Sequence, residues 1–169
     1  MGARGGGVAV FTEDSYGAEF VRRLLERPGL SGRAGYCRRL AGVCSSKSVR
    51  QLKAAALDYE KVVVLVDGDW DPENVRKRMN EHLENLRGEL RSKVRVIVVE
   101  SEIEEWVCES LGLRYRGLKP SQVLSDHLRR EKGYKYEKYM LPSLAGYVNP
   151  EKLASNSSFN SFIRSIRDD

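Results

Sequence analysis

The stretch Val62-Val63-Val64-Leu65-Val66-Asp67-Gly68-Asp69-Trp70-Asp71-Pro72 constrains this chain more than any other. It opens as an unbroken apolar run, mostly β-branched and too short for a helix of its own. Such a run suits a strand buried on both faces, as in a parallel sheet covered by helices. It then stops at Asp67, Asp69 and Asp71, and Asp71-Pro72 reads as a helix start. Asp71 can accept free amides of the first turn, and Pro72 needs no donor at the first helical position. The three aspartates should therefore crowd at the carboxyl end of a central strand, where open α/β sheets keep their ligands. Carboxylates so close together favour a shared cation, and hard oxygen donors suit Mg²⁺ or Mn²⁺. A polar turn with scattered Asp is the plainer alternative. A calcium EF-hand loop does not fit, because its glycine and closing glutamate positions hold Pro72 and Arg78. A P-loop NTPase does not fit either, because Gly-x-x-x-x-Gly-Lys-Ser/Thr is missing.

The flanking sequence alternates strands and helices. Val8-Ala9-Val10-Phe11 reads as a buried strand ending at Thr12-Glu13-Asp14. A helix with Tyr16, Phe20, Val21, Leu24 and Leu25 at helical spacing follows and stops at Pro28-Gly29. Ala34 to Cys37 suggests a further strand. Ser45 or Ser46 can cap a helix carrying Val49, Leu52, Ala56 and Leu57. After the central strand, one helix from Pro72 is expected to hold Val75, Met79, Leu83, Leu86 and Leu90 on a single stripe. Val94 to Val99 is a fourth strand, followed by a helix with Ile103, Trp106, Val107 and Leu111 facing inward. The expected fold is α/β: a mostly parallel sheet of about four strands flanked by helices, spanning residues 1–112. Residues 113–169 show no strand pattern and read as a helical extension packed on it. It would comprise a helix opening at Lys119-Pro120-Ser121 and a last amphipathic helix with Phe159, Phe162, Ile163 and Ile166. Tyr134, Tyr136 and Tyr139, set among lysines, either pack helices with their hydroxyls in water or stack bases. Three strands end in acid, at Glu13, at Asp67 with its neighbours, and at Glu100 through Glu104. In a parallel sheet these acids face one edge.

Charge is unevenly spread along the 169 residues, whose formal net charge is +5. From Arg22 to Lys53 the single acid is Glu26, whereas acids gather between Asp58 and Glu109. A basic surface beside an acidic pocket is what a metal-dependent enzyme acting on a polyanion needs. Arg22, Arg38, Arg39 and Arg50 are the candidate contacts to the backbone of DNA or RNA; ordinary solvated helix faces are the alternative. No uncharged apolar span approaches the length of a membrane helix, and the glycine-rich start is unlike a signal peptide. Cys37, Cys44 and Cys108 never form Cys-x-x-Cys and read as thiols of a reducing compartment. A cytoplasmic protein with no membrane partner is expected.

The motifs Val10-Phe11-Thr12-Glu13-Asp14, Val66-Asp67-Gly68-Asp69-Trp70-Asp71 and Glu100-Ser101-Glu102-Ile103-Glu104-Glu105-Trp106, in that order, resemble the Toprim fold. Topoisomerases, primases, RecR-type repair proteins and OLD-family nucleases share that fold. The third motif is most similar to small stand-alone Toprim proteins related to the OLD nuclease domain. One departure is that Asp14 stands where the family's first motif usually has Gly, with the next acid at Glu19. The resemblance implies a Rossmann-like Toprim sheet. It implies Mg²⁺ or Mn²⁺ held by Glu13, Asp67, Asp69 and Asp71, with Glu100 and Glu104 completing the acidic set. Glu13, Asp67 and Asp69 would be catalytic, Glu13 as ligand or as general acid or base, and Lys119 would match a lysine that OLD-type nucleases use. The implied activity is nucleic-acid phosphodiester cleavage, with any ATPase partner a separate chain. A non-catalytic binding module and a nucleotidyl- or phosphoryl-transfer enzyme on small substrates are the other readings.

Overall fold

In the computed structural model, which describes residues 7–30 and 34–167, the chain forms one four-stranded, wholly parallel sheet in the order β2-β1-β3-β4. The strands are β1 (Val8–Thr12), β2 (Ala34–Arg39), β3 (Lys61–Asp67) and β4 (Val94–Val99). The glycine-rich start (residues 1–6) and Arg33, a cation within the basic stretch from Arg22 to Lys53, lie outside the described residues. The helices are α1 (Ser15–Leu25), α2 (Ser46–Asp58), α3 (Pro72–Leu83), α4 (Gly88–Lys93), α5 (Glu104–Ser110), α6 (Pro120–Lys132) and α7 (Ser157–Arg167). A 3₁₀ segment, Lys138–Tyr147, lies between α6 and α7. Among the described residues no helix is long and apolar enough to cross a membrane, and the three cysteines are free thiols.

Strand alternation assigns the apolar residues to two cores. Ala9, Phe11, Val62, Val64, Val66, Val94 and Val98 face α2 and α3. Val8, Val10, Val63, Leu65, Ile97 and Val99 face α1, α5 and the extension. Because β1 and β3 are covered on both sides, every residue of Val62–Val66 is buried. Each such side chain contributes roughly 1.5–3 kcal/mol on removal from water. The helix starts follow their sequence signals. Asp14 Oδ1 accepts from Gly17 N–H at 2.7 Å. Ser45 and Ser48 form a reciprocal cap on α2, and Asp71 accepts from Asn74 N–H with Pro72 opening α3.

Two expectations are corrected. The single helix expected from Pro72 through Leu90 is two, broken at residues 84–87, with Gly88 in the left-handed region at φ 61°. An unbroken helix of that length would run about 28 Å, whereas the return strand β4 spans only about 20 Å. The break lets the chain turn back in register while Leu86 stays buried. On α1 and α2, Tyr16 and Leu57 lie outside the apolar stripes assigned to them and are exposed.

The extension shares the sheet's core. Trp106 of α5 is fully buried between Phe159 (5.2 Å between centroids, edge-on) and Phe162 (5.6 Å) of α7. Its indole N–H donates to Ser158 Oγ at 3.0 Å. Leu124, Leu128, Tyr136 and Leu141 belong to the same apolar cluster as Val8, Val10 and Val63. Phe162→Ala should therefore lower the stability of the whole chain by about 3–5 kcal/mol, read as one shifted transition in urea. Two separate transitions, with only one displaced, would show instead that residues 113–169 unfold on their own.

Candidate functional site in the crevice between the first and third strands

The order β2-β1-β3-β4 makes the carboxyl ends of β1 and β3 the point where the chain leaves in opposite directions. The first crossover carries β1 outward to β2, and the later one carries β3 outward to β4. Such a switch point opens a crevice above the sheet edge. The register pairs Thr12 with Leu65, so Glu13, one residue beyond β1, comes beside the last turn of β3. Asp67 N–H donates to Glu13 Oε1 at 3.1 Å. Asp67 Oδ1 in turn accepts from Ile103 N–H at 2.8 Å. Each carboxylate is thus anchored through one oxygen, and among the described residues no donor meets the other oxygen of either.

The turn after Asp67 is fixed by its backbone. Gly68 N–H and Asp69 N–H both donate to Ser101 O (3.0 and 3.1 Å), Trp70 N–H to Glu100 O (2.9 Å), and Asp71 N–H to Gly68 O (2.8 Å). A Cβ on Gly68 would stand 2.2 Å from Val99 O, so only glycine fits here. Asp69 and Trp70 take positive φ, 48° and 67°. Left-handed non-glycine residues cost on the order of 1–3 kcal/mol each and persist only where surrounding bonds hold them.

Opposite this turn, Glu104 begins α5 and is buried at 1% exposure. Lys138 Nζ donates to both its oxygens (3.0 and 3.3 Å), and Tyr136 Oη donates to Oε2 at 3.3 Å. The same ammonium lies 3.8 Å from Asp14 Oδ2. Thr12, Glu13, Asp14, Gly17, Asp67, Ile103 and Lys138 line a crevice with about 10 Å³ of free space, enough for one small occupant between the acids.

Burial dominates the electrostatics. It raises Asp67 well above its ordinary pKa, reinforced by the charges of Glu13 and Glu104 and opposed by Lys138. Glu13 is exposed as a whole residue, but its carboxylate lies in the crevice. Loss of solvation there raises its pKa, against the Asp67 amide and together with the charges of Asp69 and Asp14. Glu104 is raised by burial despite Lys138. Burial pulls the Lys138 ammonium down, but Glu104, Asp67 and Asp14 outweigh it and hold it above its ordinary value.

The acids read from sequence separate into groups. Glu13 and Asp67 meet directly, Asp69 adds its charge to Glu13, and Glu104 faces Asp67 across Lys138. Asp71 spends its side chain on the start of α3. Glu100 lines a neighbouring cavity of about 420 Å³ with Glu105, Glu109, Tyr115 and Arg76. Among the described residues no three His, Cys, Asp or Glu side chains close into a ready-made ion cage. The open oxygens of Glu13 and Asp67, with Asp69 adjacent, are the hard donors that could hold one.

The lysine that meets Glu104 is Lys138; Lys119 lies exposed just ahead of α6. Sequence reasoning missed Lys138 and Tyr136, whose only signal was the alternation of Tyr and Lys from Tyr134 to Tyr139. Tyr136 does not hold its hydroxyl in water; it is buried against Glu104, whereas Tyr134 and Tyr139 are exposed. Of the candidate cations, Arg22 is engaged by Glu19 and Glu26. Arg38 lies 5.0 Å over the Tyr36 ring, and Arg39 and Arg50 are exposed.

Fold and site together define a Rossmann-like α/β protein with a carboxylate–lysine crevice at its topological switch point. No family model, curated protein or solved structure matches the chain.

The raised pKa of Asp67 fixes the sign of a pH effect. Between its ordinary value of 3.8 and its raised folded value, the folded state holds more protons than the unfolded one. The carboxylate's contribution to stability therefore falls as pH rises through that window. In chelator, the melting temperature of Asp67→Asn should match the wild type near pH 4 and exceed it increasingly toward neutrality. A variant less stable than wild type at neutral pH would mean that Lys138 and the Ile103 amide outweigh burial.

Proposed function

We propose that the chain is a divalent-metal-dependent phosphodiesterase acting on nucleic acid. The observation that carries this reading is the pair Glu13–Asp67. Two carboxylates from adjacent parallel strands each have one oxygen pinned by an amide and one open, in a crevice that raises the pKa of both. Such a pair is poorly compensated by protein alone, and a hard cation would relieve it. The order of the acidic motifs, with its resemblance to the Toprim fold, supports the same reading. Mg²⁺ or Mn²⁺ bound by Glu13 and Asp67, with Asp69 beside them, would supply Lewis-acid activation of water and of the leaving oxygen.

The chain's own groups have distinct parts in this reading. Where Glu13 is not itself a ligand, its raised pKa suits it to exchange a proton with the attacking water or leaving oxygen. Lys138, kept charged by Glu104, which Tyr136 holds in turn, and lying near Asp14, offers its ammonium to a non-bridging phosphate oxygen. Glu104 then positions the lysine and does not touch the phosphate. Arg38, Arg39 and Arg50, around the exit of β2 and on α2, would guide the rest of the polyanion.

One observation favours a second reading, a non-catalytic nucleic-acid or partner-binding module. Lys138 already supplies a cation to the acids, and the side chains as they stand form no closed ion cage. Two measurements separate the readings. Mn²⁺ should raise the melting temperature of the wild type and leave that of Asp67→Asn unmoved. In the same buffer, plasmid or single-stranded DNA and RNA should be cut by wild type, with cutting abolished in Asp67→Asn and Glu13→Gln. Lys138→Ala should lower the rate roughly 100-fold, Lys138→Arg should recover part of it, and Lys119→Ala should leave it unchanged. A wild type that cuts no faster than Asp67→Asn, and gains no stability from Mn²⁺, leaves only the binding module.

A further inference from the structure

Trp70 stands apart from every other large side chain near the crevice. It holds a left-handed backbone at φ 67°, a conformation costly for a bulky residue, yet it gains no full burial in exchange. The residue is 43% exposed, whereas the chain's other tryptophan, Trp106, is completely covered. The strain is imposed by the Trp70 N–H bond to Glu100 O and the bonds of Gly68 and Asp69 to Ser101 O. The ring is therefore presented at the surface by a backbone with little freedom to withdraw it.

Beside it lies Tyr115, with ring centroids 6.0 Å apart and planes inclined by 38°. The Tyr115 hydroxyl donates to Glu109 Oε2 at 2.6 Å and reaches Glu105 Oε2 at 3.4 Å. Asn156 Nδ2 bridges the same two carboxylates (2.8 and 2.7 Å). This network locks the tyrosine ring as the turn locks the indole. Arg114 and Arg116, both exposed, bracket Tyr115 in the chain, so cations accompany the ring pair. Trp70 follows Asp67 by three residues, which places its Cα within about 11 Å of that of the acid.

We infer that Trp70, backed by Tyr115 on the side of the neighbouring cavity and three residues along the turn from Asp67, is a stacking platform for an unpaired nucleobase, with Arg114 and Arg116 meeting the adjoining phosphates. This rests on the reading of the crevice as a phosphodiester site and names its substrate class: single-stranded or locally melted nucleic acid. A base inside a duplex is already stacked on both faces and offers none to the indole. An unpaired base does, and aromatic stacking of this kind tolerates every base. The strained turn would thus deliver the metal-facing acids and the base-facing ring as one rigid unit, fixing the phosphate that follows the stacked base.

The test is metal-free binding, in chelator, so that no cleavage intervenes. Wild type, Trp70→Ala and Trp70→Phe are titrated with a fluorescein-labelled oligothymidylate, with a strand of equal length carrying abasic sites, and with a blunt duplex. Protein fluorescence is followed in parallel, since only one of the two tryptophans is exposed. The platform predicts quenching of the exposed indole by oligothymidylate and a loss of affinity in Trp70→Ala of roughly 5- to 150-fold. It predicts near-wild-type binding for Trp70→Phe, and abasic and duplex binding that does not change with Trp70→Ala. Melting temperatures of the variants at or above wild type establish that they are folded. Equal affinity of wild type and Trp70→Ala for oligothymidylate, or an equal loss on the abasic strand, overturns the platform. Either result leaves Asp67-dependent cleavage to its own assay. Stacking without Mn²⁺-dependent cutting would instead retain the platform and remove the phosphodiesterase.

Discussion

The site depends on the parallel pairing of β1 with β3. Because Thr12 lies against Leu65, the residue that leaves β1 arrives within hydrogen-bonding reach of the last amide of β3. A shift of one residue in that register would turn Val62, Val64 and Val66 toward the opposite core and move Glu13 away from Asp67. The register is held by packing on both faces, with Phe11 and Ala9 toward α2 and α3, and Val8 and Val10 toward α1 and the extension. The apolar core therefore specifies the meeting of two acids that are otherwise unfavourable neighbours.

The extension has a comparable role on the other side of the crevice. By burying Tyr136 and seating Lys138 at the start of the 3₁₀ segment, residues 113–169 bring a cation to Glu104. The same layer covers Trp106, so the helix that starts with Glu104 is anchored two residues later by the largest side chain of the core. Site and core are joined at the start of α5: Ser101 N–H holds Glu105, Ile103 N–H holds Asp67, and Trp106 locks the helix beneath them.

Much of this was legible in the sequence because it is local. The run Val62–Val66 could only be a buried strand, Asp71-Pro72 could start a helix, and the apolar spacing of Phe159, Phe162 and Ile166 identified α7. What was not legible depends on distance in the fold. Lys138 sits among surface-looking tyrosines and lysines, and nothing nearby in sequence indicates that it turns inward to Glu104. Glu100 follows Val99, which pairs with Asp67. Its side chain then passes to the neighbouring cavity and not to the crevice, a consequence of alternation at the strand end. The break between α3 and α4 is set by the length of the return strand, which no helical stripe reveals.

The balance of charge in the crevice bears most on its chemistry. Glu13, Asp14, Asp67 and Glu104 face one ammonium, and the raised pKa of Glu13, Asp67 and Glu104 shows that Lys138 does not offset the loss of their solvation. Lys138 nevertheless goes to the most buried of these acids, leaving one oxygen each of Glu13 and Asp67 without a donor among the described residues. A fixed cation thus neutralises the inner acid, while the outer pair is left for whatever enters from solvent. Under the proposed reading, that division lets a divalent ion bind without displacing the lysine. On that reading it also keeps the ammonium available to a phosphate oxygen, with the rigid Asp67–Trp70 turn setting where along the strand that phosphate lies.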